Sequence, residues 1–147
     1  MILDKREEFE VDDEKSRLDL NVIHAFLNES YWAVGIPMEV VVQSIAGSDC
    51  FGVYREDAQI GFARVVTDNA TFAYLCDVFV LPDYRDQGLG KWLVETVMQY
   101  SNYQSFRRWL LATRDAHELY RPFGFTDLET PAKFMEIKRK DVYMSEG

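Results

Sequence analysis

The run VFVLPDYRDQGLGKWLV holds the residues of this chain whose types and spacing best suit chemistry. It sets Arg85, Asp86, Gln87, Gly88, Leu89, Gly90 and Lys91 between an apolar stretch and an amphipathic one. A helix starting there presents unpaired N–H groups and the positive end of its dipole, which together make an anion site. Gly88 and Gly90 carry no Cβ, so backbone N–H groups can close on an anion and turn as other residues cannot. A pyrophosphate suits this arrangement, with Lys91 and Arg85 able to add charge-assisted contacts. The dinucleotide-binding alternative fits poorly. No Gly-x-Gly-x-x-Gly is present, and no parallel βαβ unit precedes the loop.

Other chemistries lack their residues. The chain has two histidines, His24 and His117, and two cysteines, Cys50 and Cys76, with no Cys-x-x-Cys or His-Glu-x-x-His, so a zinc site has no support. Gly-x-Ser-x-Gly and the Walker pattern are absent too. Both cysteines sit in apolar runs, which suits reduced, buried thiols. A net charge of −9 makes the chain a poor partner for nucleic-acid phosphates. It is compatible with a cationic or amine-bearing ligand, although such acidity also simply keeps proteins soluble. No apolar run reaches the roughly 20 residues of a membrane span, and MILDKREEFE has no signal-like apolar stretch, so a cytoplasmic protein is expected.

The elements that must hold the loop follow from periodicity. At 147 residues, one domain over 1–147 is expected, with 48% apolar residues to fill its core and 14% aromatic residues to dominate it. Residues 1–16 are polar, with a short strand at 9–11. Asp19 caps a helix ending near Ser30, with Leu18 stapled to Ile23. Pro37 opens a second helix, MEVVVQSIAGS, closed by Gly47. CFGVY, QIGFARVV and TFAYLCDVFVL read as an antiparallel meander, the third strand apolar enough to be central with both faces covered. GKWLVETVMQYSN is an amphipathic helix, RRWLLATR a strand, AHELYRPF a short helix and FMEIK a last strand. The order β-α-α-β-β-β-α-β-α-β predicts an α+β domain, helices packed on both faces of a mixed, mostly antiparallel sheet.

The run VFVLPDYRDQGLGKWL, followed about 20 residues later by LLATRDAHELYRPFGF, resembles the GNAT family of N-acetyltransferases. The resemblance covers about residues 50–137. It implies acetyl-CoA as co-substrate, with the strand before the loop splaying from the next parallel strand at a β-bulge. Backbone groups of Val78, Phe79 and Val80 would then pair with the pantetheine arm, and N–H groups from Gln87 to Lys91 would hold the pyrophosphate. A ligand that imitates a strand is a sensible occupant of an unpaired strand edge. A common form of the family loop has Gly directly after the Arg, where this chain has Asp86, a carboxylate unhelpful beside a pyrophosphate.

Tyr120, in LYRPFGF, matches the family tyrosine that protonates the departing thiolate; ring packing with Leu119 and Phe123 is the plain alternative. Thr113 and His117 could touch the cofactor arm or only solvate a helix start. The acceptor amine arrives mostly protonated, like Lys with a pKa near 10.4, so something must take a proton. Asp77, which interrupts an apolar strand, is the candidate. An ion pair with Arg64 is an equal alternative for its carboxylate, and a water chain could replace a dedicated base. The acceptor pocket is expected between the first two helices and the sheet, lined by Tyr31, Trp32 and Gly35 with Arg64 and Thr67; interhelix packing competes for Trp32. The implied activity is acetyl transfer to a primary amine of a small molecule or peptide by direct attack in a ternary complex. The alternative is a non-catalytic acyl-CoA sensor or partner-binding module on the same fold. Many relatives are dimers, so a homodimer is compatible with the resemblance.

Overall fold

Alternation along the middle strands divides the core in two. The computed structural model describes residues 1–144. A single sheet runs in chain order: β1 (Ile2–Arg6), β2 (Phe9–Asp12), β3 (Asp49–Arg55), β4 (Ala58–Thr67), β5 (Phe72–Val80) and β6 (Arg108–Leu110). Each neighbouring pair is antiparallel except β5 with β6, which is parallel. Between strands lie α1 (Leu20–Glu29), α2 (Met38–Ala46) and α3 (Leu89–Met98), and α4 (His117–Tyr120) follows β6. Successive strand residues point to opposite faces. Phe51, Val53, Ala63 and Val65 therefore meet Trp92, Leu93 and Val97 of α3 on one face. Cys50 and Phe62 meet Ile23, Leu27, Val41 and Ile45 of α1 and α2 on the other. The result is the expected α+β fold, a mixed, mostly antiparallel sheet with helices on both faces.

Helix starts obey local chemistry. The Asp19 carboxylate accepts from the N–H groups of Asn21 and Val22, satisfying two of the free donors at the start of α1. Leu18 packs against the cluster holding Ile23. Pro37 is the N-cap of α2 and Gly47 its C-cap.

Five expectations need correction. Residues 1–16 hold a hairpin rather than one strand, because β1 is an exposed edge whose Asp4-Lys5-Arg6 hides its pairing with β2. The helix expected through GKWLVETVMQYSN stops at Met98, and a separate helical turn (Ser101–Tyr103) buries Tyr103 against Phe51. RRWLLATR forms only the three-residue β6, which pairs with Phe72 to Tyr74 and then parts from β5. β5 is accordingly fifth of six and flanked on both sides only at its start. FMEIK forms no strand: Phe134 is half-buried under the Arg108 guanidinium, while Met135 and Ile137 are 97% and 85% exposed.

Candidate active site

A single extra residue in β5 creates the gap that the site needs. Phe62 pairs with Phe79, yet Arg64 pairs with Cys76, so two steps on β4 oppose three on β5. Asp77 sits in this bulge at φ +53, a left-handed conformation that Asp tolerates better than most residues. The insertion reverses the side-chain alternation. Before it Ala73 and Leu75 face α3; after it Val78 and Val80 do, and Phe79 turns to the α1 face. There Phe79 stacks on Phe26 of α1, centroids 4.0 Å apart and planes 9° from parallel. On their other flank Val78, Phe79 and Val80 have no strand partner among the described residues, since the β5–β6 ladder ends at Tyr74 and Leu110.

At the end of that gap the chain turns into α3. Asp86 and Gly88 adopt positive φ, 64° and 79°, and Gly88 is the N-cap, with no side chain closing the helix start. Trp92 N–H donates to Gly88, but the N–H groups of Gln87, Gly88, Leu89, Gly90 and Lys91 have no acceptor among the described residues. Five consecutive free donors at a helix start fit an oxyanion with several oxygens, such as a diphosphate. Arg85 is partly committed: its Nε donates to the Val80 carbonyl at 3.0 Å. Gln87 turns its side-chain Nε2 back to donate to the Tyr84 carbonyl, 3.1 Å away, while its backbone N–H stays free for a ligand. Lys91 is exposed on the first turn of α3.

The Asp77 carboxylate is a junction. Arg64 Nε donates to one oxygen at 2.8 Å and Trp32 Nε1 to the other at 2.8 Å. The ion pair is largely shielded, its side chains 18% and 10% exposed. From Trp32 the contacts continue across the gap: Tyr31 packs edge-on against Trp32, and its hydroxyl accepts from the N–H of Arg114 at 3.1 Å. The Arg114 guanidinium lies 3.9 Å over the Tyr31 ring. The loop after α1 is therefore fastened to β5 at one end and to the segment after β6 at the other. Beneath it is a cleft of about 700 Å³ lined by Phe26, Tyr31, Trp32, Leu81, Pro82 and Arg114. Phe26 and Arg114 were not among the residues expected from sequence. Arg114 adjoins Thr113 in the marked motif, which is the signal that could have included it.

Three expected lining residues lie outside this cleft, the first being Arg64, which is turned to Asp77. Thr67 is at the far end of the β4–β5 hairpin, where its hydroxyl donates to the Phe72 carbonyl at 2.6 Å. Gly35 turns against Tyr143 of the C-terminal segment. Thr113, His117 and Tyr120 share a second cleft, of about 690 Å³, with Trp109, Phe123 and Phe125. The Thr113 hydroxyl accepts from the N–H of Ala116, ordering the turn into α4, and His117 is exposed. Tyr120 is buried, its ring edge-on to Phe125, and its hydroxyl has no partner among the described residues.

Burial pushes the Tyr120 phenol up to about 12. The same cause lifts Tyr100 to about 12, Cys50 to about 11 and Cys76 to about 12. All four hold their protons in the fold more tightly than in the unfolded chain. Their contribution is intact below the ordinary thiol and phenol values and is lost as pH rises through the folded ones. Melting temperature should therefore hold level up to about pH 9 and fall steeply toward pH 12. A level curve to pH 11 would contradict this burial.

No helix among the described residues is long and apolar enough to cross a membrane, and no cluster of potential metal ligands occurs there. Residues 46–127 match the family model described as an acetyltransferase (GNAT) domain. A Gibberella zeae protein named as an acetyltransferase is 27% identical over 97% of this chain and 91% of its own length. A crystal structure of a GNAT-family protein from Xanthomonas campestris pv. campestris superposes with a TM-score of 0.91 at 43% identity, covering 93% of this chain and 97% of that one. An Elizabethkingia anophelis GNAT acetyltransferase, solved with acetyl-CoA bound, shares the fold at a TM-score of 0.63 and 13% identity over 82% of this chain and 78% of that one.

Proposed function

This chain belongs to the GNAT family of acetyltransferases and is an acyltransferase, and we propose that it moves the acetyl group of acetyl-CoA to a primary amine by direct attack in a ternary complex. The observation that carries this reading is the row of free N–H groups from Gln87 to Lys91 beside the β5–β6 gap. In this reading those donors hold the diphosphate, assisted by Lys91 and the uncommitted nitrogens of Arg85. The pantetheine arm lies along Val78, Phe79 and Val80 as a surrogate strand, with Thr113 and His117 at its side. The gap opens onto the cleft beneath the Tyr31–Trp32 loop, through which the amine arrives.

The amine nitrogen attacks the thioester carbonyl carbon, the C–S bond breaks, and the acetyl group stays on nitrogen. Tyr120 donates to the departing sulfur. Each oxygen of Asp77 already accepts one hydrogen bond and has lone-pair capacity for another. It can thus orient the ammonium and take its proton before attack, with solvent as final acceptor. Calorimetry with acetyl-CoA, followed by a thiol-release screen over an amine library, tests the proposal. No binding at millimolar acetyl-CoA sinks it. Binding without turnover on any amine, peptide or alcohol favours the sensor reading instead.

Asp86 offers a narrower test. It stands at φ +64 where the family often has Gly, and it brings a carboxylate to the phosphate seat. Asp86→Gly removes both the charge and the Cβ, so acetyl-CoA Kd should fall by about threefold at low salt, with the gain shrinking as salt is raised. An unchanged Kd would place that carboxylate away from the phosphates.

A further inference from the structure

One cation at the start of α3 comes from a distant part of the chain. Arg6 closes the β1–β2 hairpin opposite Phe9, at a turn where Glu7 takes φ +54. Its guanidinium lies over the Trp92 ring, 5.3 Å from the centroid, and the indole is itself fixed by a 2.8 Å hydrogen bond from Nε1 to Asp4. Thus β1 holds the indole edge with one residue and covers its face with another. The consequence falls on Gly88: the nearest foreign atom to a Cβ built there is Arg6 Nη1, at 3.8 Å. In a chain with 25 acidic and 16 basic side chains, a guanidinium would ordinarily find a carboxylate. Among the described residues Arg6 makes no ion pair and no hydrogen bond; Asp4 is taken by Trp92 and by the N–H of Lys5. The hairpin also lies outside residues 46–127, the part matching the family model.

We infer that Arg6 is a phosphate-recognition residue, supplied by the N-terminal hairpin, which binds a phosphate of the nucleotide end of the cofactor. This rests on the acetyl-CoA reading above. A planar, always-charged fork suits phosphate oxygens, and stacking on Trp92 pre-orders it, so less side-chain freedom is lost on binding. The diphosphate and the 3′-phosphate offer the same chemistry, and ligand variation tells them apart.

Calorimetry on the full chain would compare acetyl-CoA, acetyl-3′-dephospho-CoA and S-acetylpantetheine for the parent, Arg6→Gln and Arg55→Gln. Arg55, paired with Glu8 of the β1–β2 turn, controls for general charge. Arg6→Gln should weaken acetyl-CoA binding about tenfold, leave S-acetylpantetheine unchanged and leave melting temperature nearly unchanged, whereas Arg55→Gln should do little. If the contact is to the 3′-phosphate, the tenfold loss disappears with the dephospho ligand; if to the diphosphate, it persists. Equal acetyl-CoA affinity in Arg6→Gln and parent overturns the inference, as does an equal loss for S-acetylpantetheine, which marks a structural role. Both results leave the parent's acetyl-CoA affinity intact. Failure of the parent itself to bind acetyl-CoA removes the wider reading together with this one.

Discussion

Tyr120→Phe is expected to lower kcat by about a hundredfold while changing acetyl-CoA Kd by less than about twofold. The substitution isolates the hydroxyl. The ring stays against Phe125, and because the hydroxyl has no partner among the described residues, its loss orphans no donor or acceptor there. Stability should hold. The pKa near 12 also defines what the hydroxyl can do. An ordinary thiol near 8.5 is the stronger acid, so full proton transfer to sulfur is uphill unless the same buried surroundings raise the thiol as well. A hydrogen bond that strengthens as charge builds on sulfur carries no such requirement. Two readouts follow. The kcat profile should show no alkaline decline from this group below about pH 11. Acetyl thioesters of more acidic thiols should narrow the gap between Tyr120→Phe and parent, because their leaving groups need less help. Were the penalty identical for every leaving group, or were cofactor affinity lost in proportion to rate, Tyr120 would be a packing residue.

Asp77→Ala should cost about 3 kcal/mol of folding stability, read from urea unfolding. Three effects act together. Arg64 loses its partner while shielded from water, Trp32 loses the acceptor that fastens its loop, and Ala must adopt φ +53, which Asp and Asn tolerate better. Asp77→Asn keeps the backbone preference and one carbonyl acceptor, so its cost should be roughly half. In an Arg64→Met background, Asp77→Ala should cost only about 1 kcal/mol, because no stranded cation remains. An equal cost in both backgrounds would show that the ion pair contributes nothing. Rate is a separate readout. If Asp77→Asn folds and turns over at the parental rate, proton removal runs through water alone.

Legibility in the sequence followed the range of the interactions. The Asp19 cap, the Leu18 contact with the Ile23 cluster, and Pro37 and Gly47 at the ends of α2 are contacts between near neighbours, and each stands where local pattern predicts. The turn proposed to hold the diphosphate is legible for the same reason, since its glycines, strand and helix are contiguous. Pairing between distant strands is not. Nothing within ILDKR announces a partner in β2, and the strand-like alternation of FMEIK cannot reveal that no strand among the described residues pairs with it. Asp77 shows the difference within one residue. Its interruption of an apolar strand marked it, and Arg64 could be named as partner from the neighbouring strand. The bond from Trp32, 45 residues earlier, depends on how α1 delivers its loop. Arg6 lies further still from the turn it overlooks.

Three residue pairs, Phe72 with Arg108 through Tyr74 with Leu110, join the C-terminal third of the chain to the main sheet by strand pairing. So short a seam makes that third the part expected to loosen first, with amide protons after Leu110 exchanging ahead of those in β3 and β4. A molecule lying along the gap would lengthen the seam from three rungs to several. Its tightest grip on the protein would then be felt as rigidity in α4, beyond any atom that it touches.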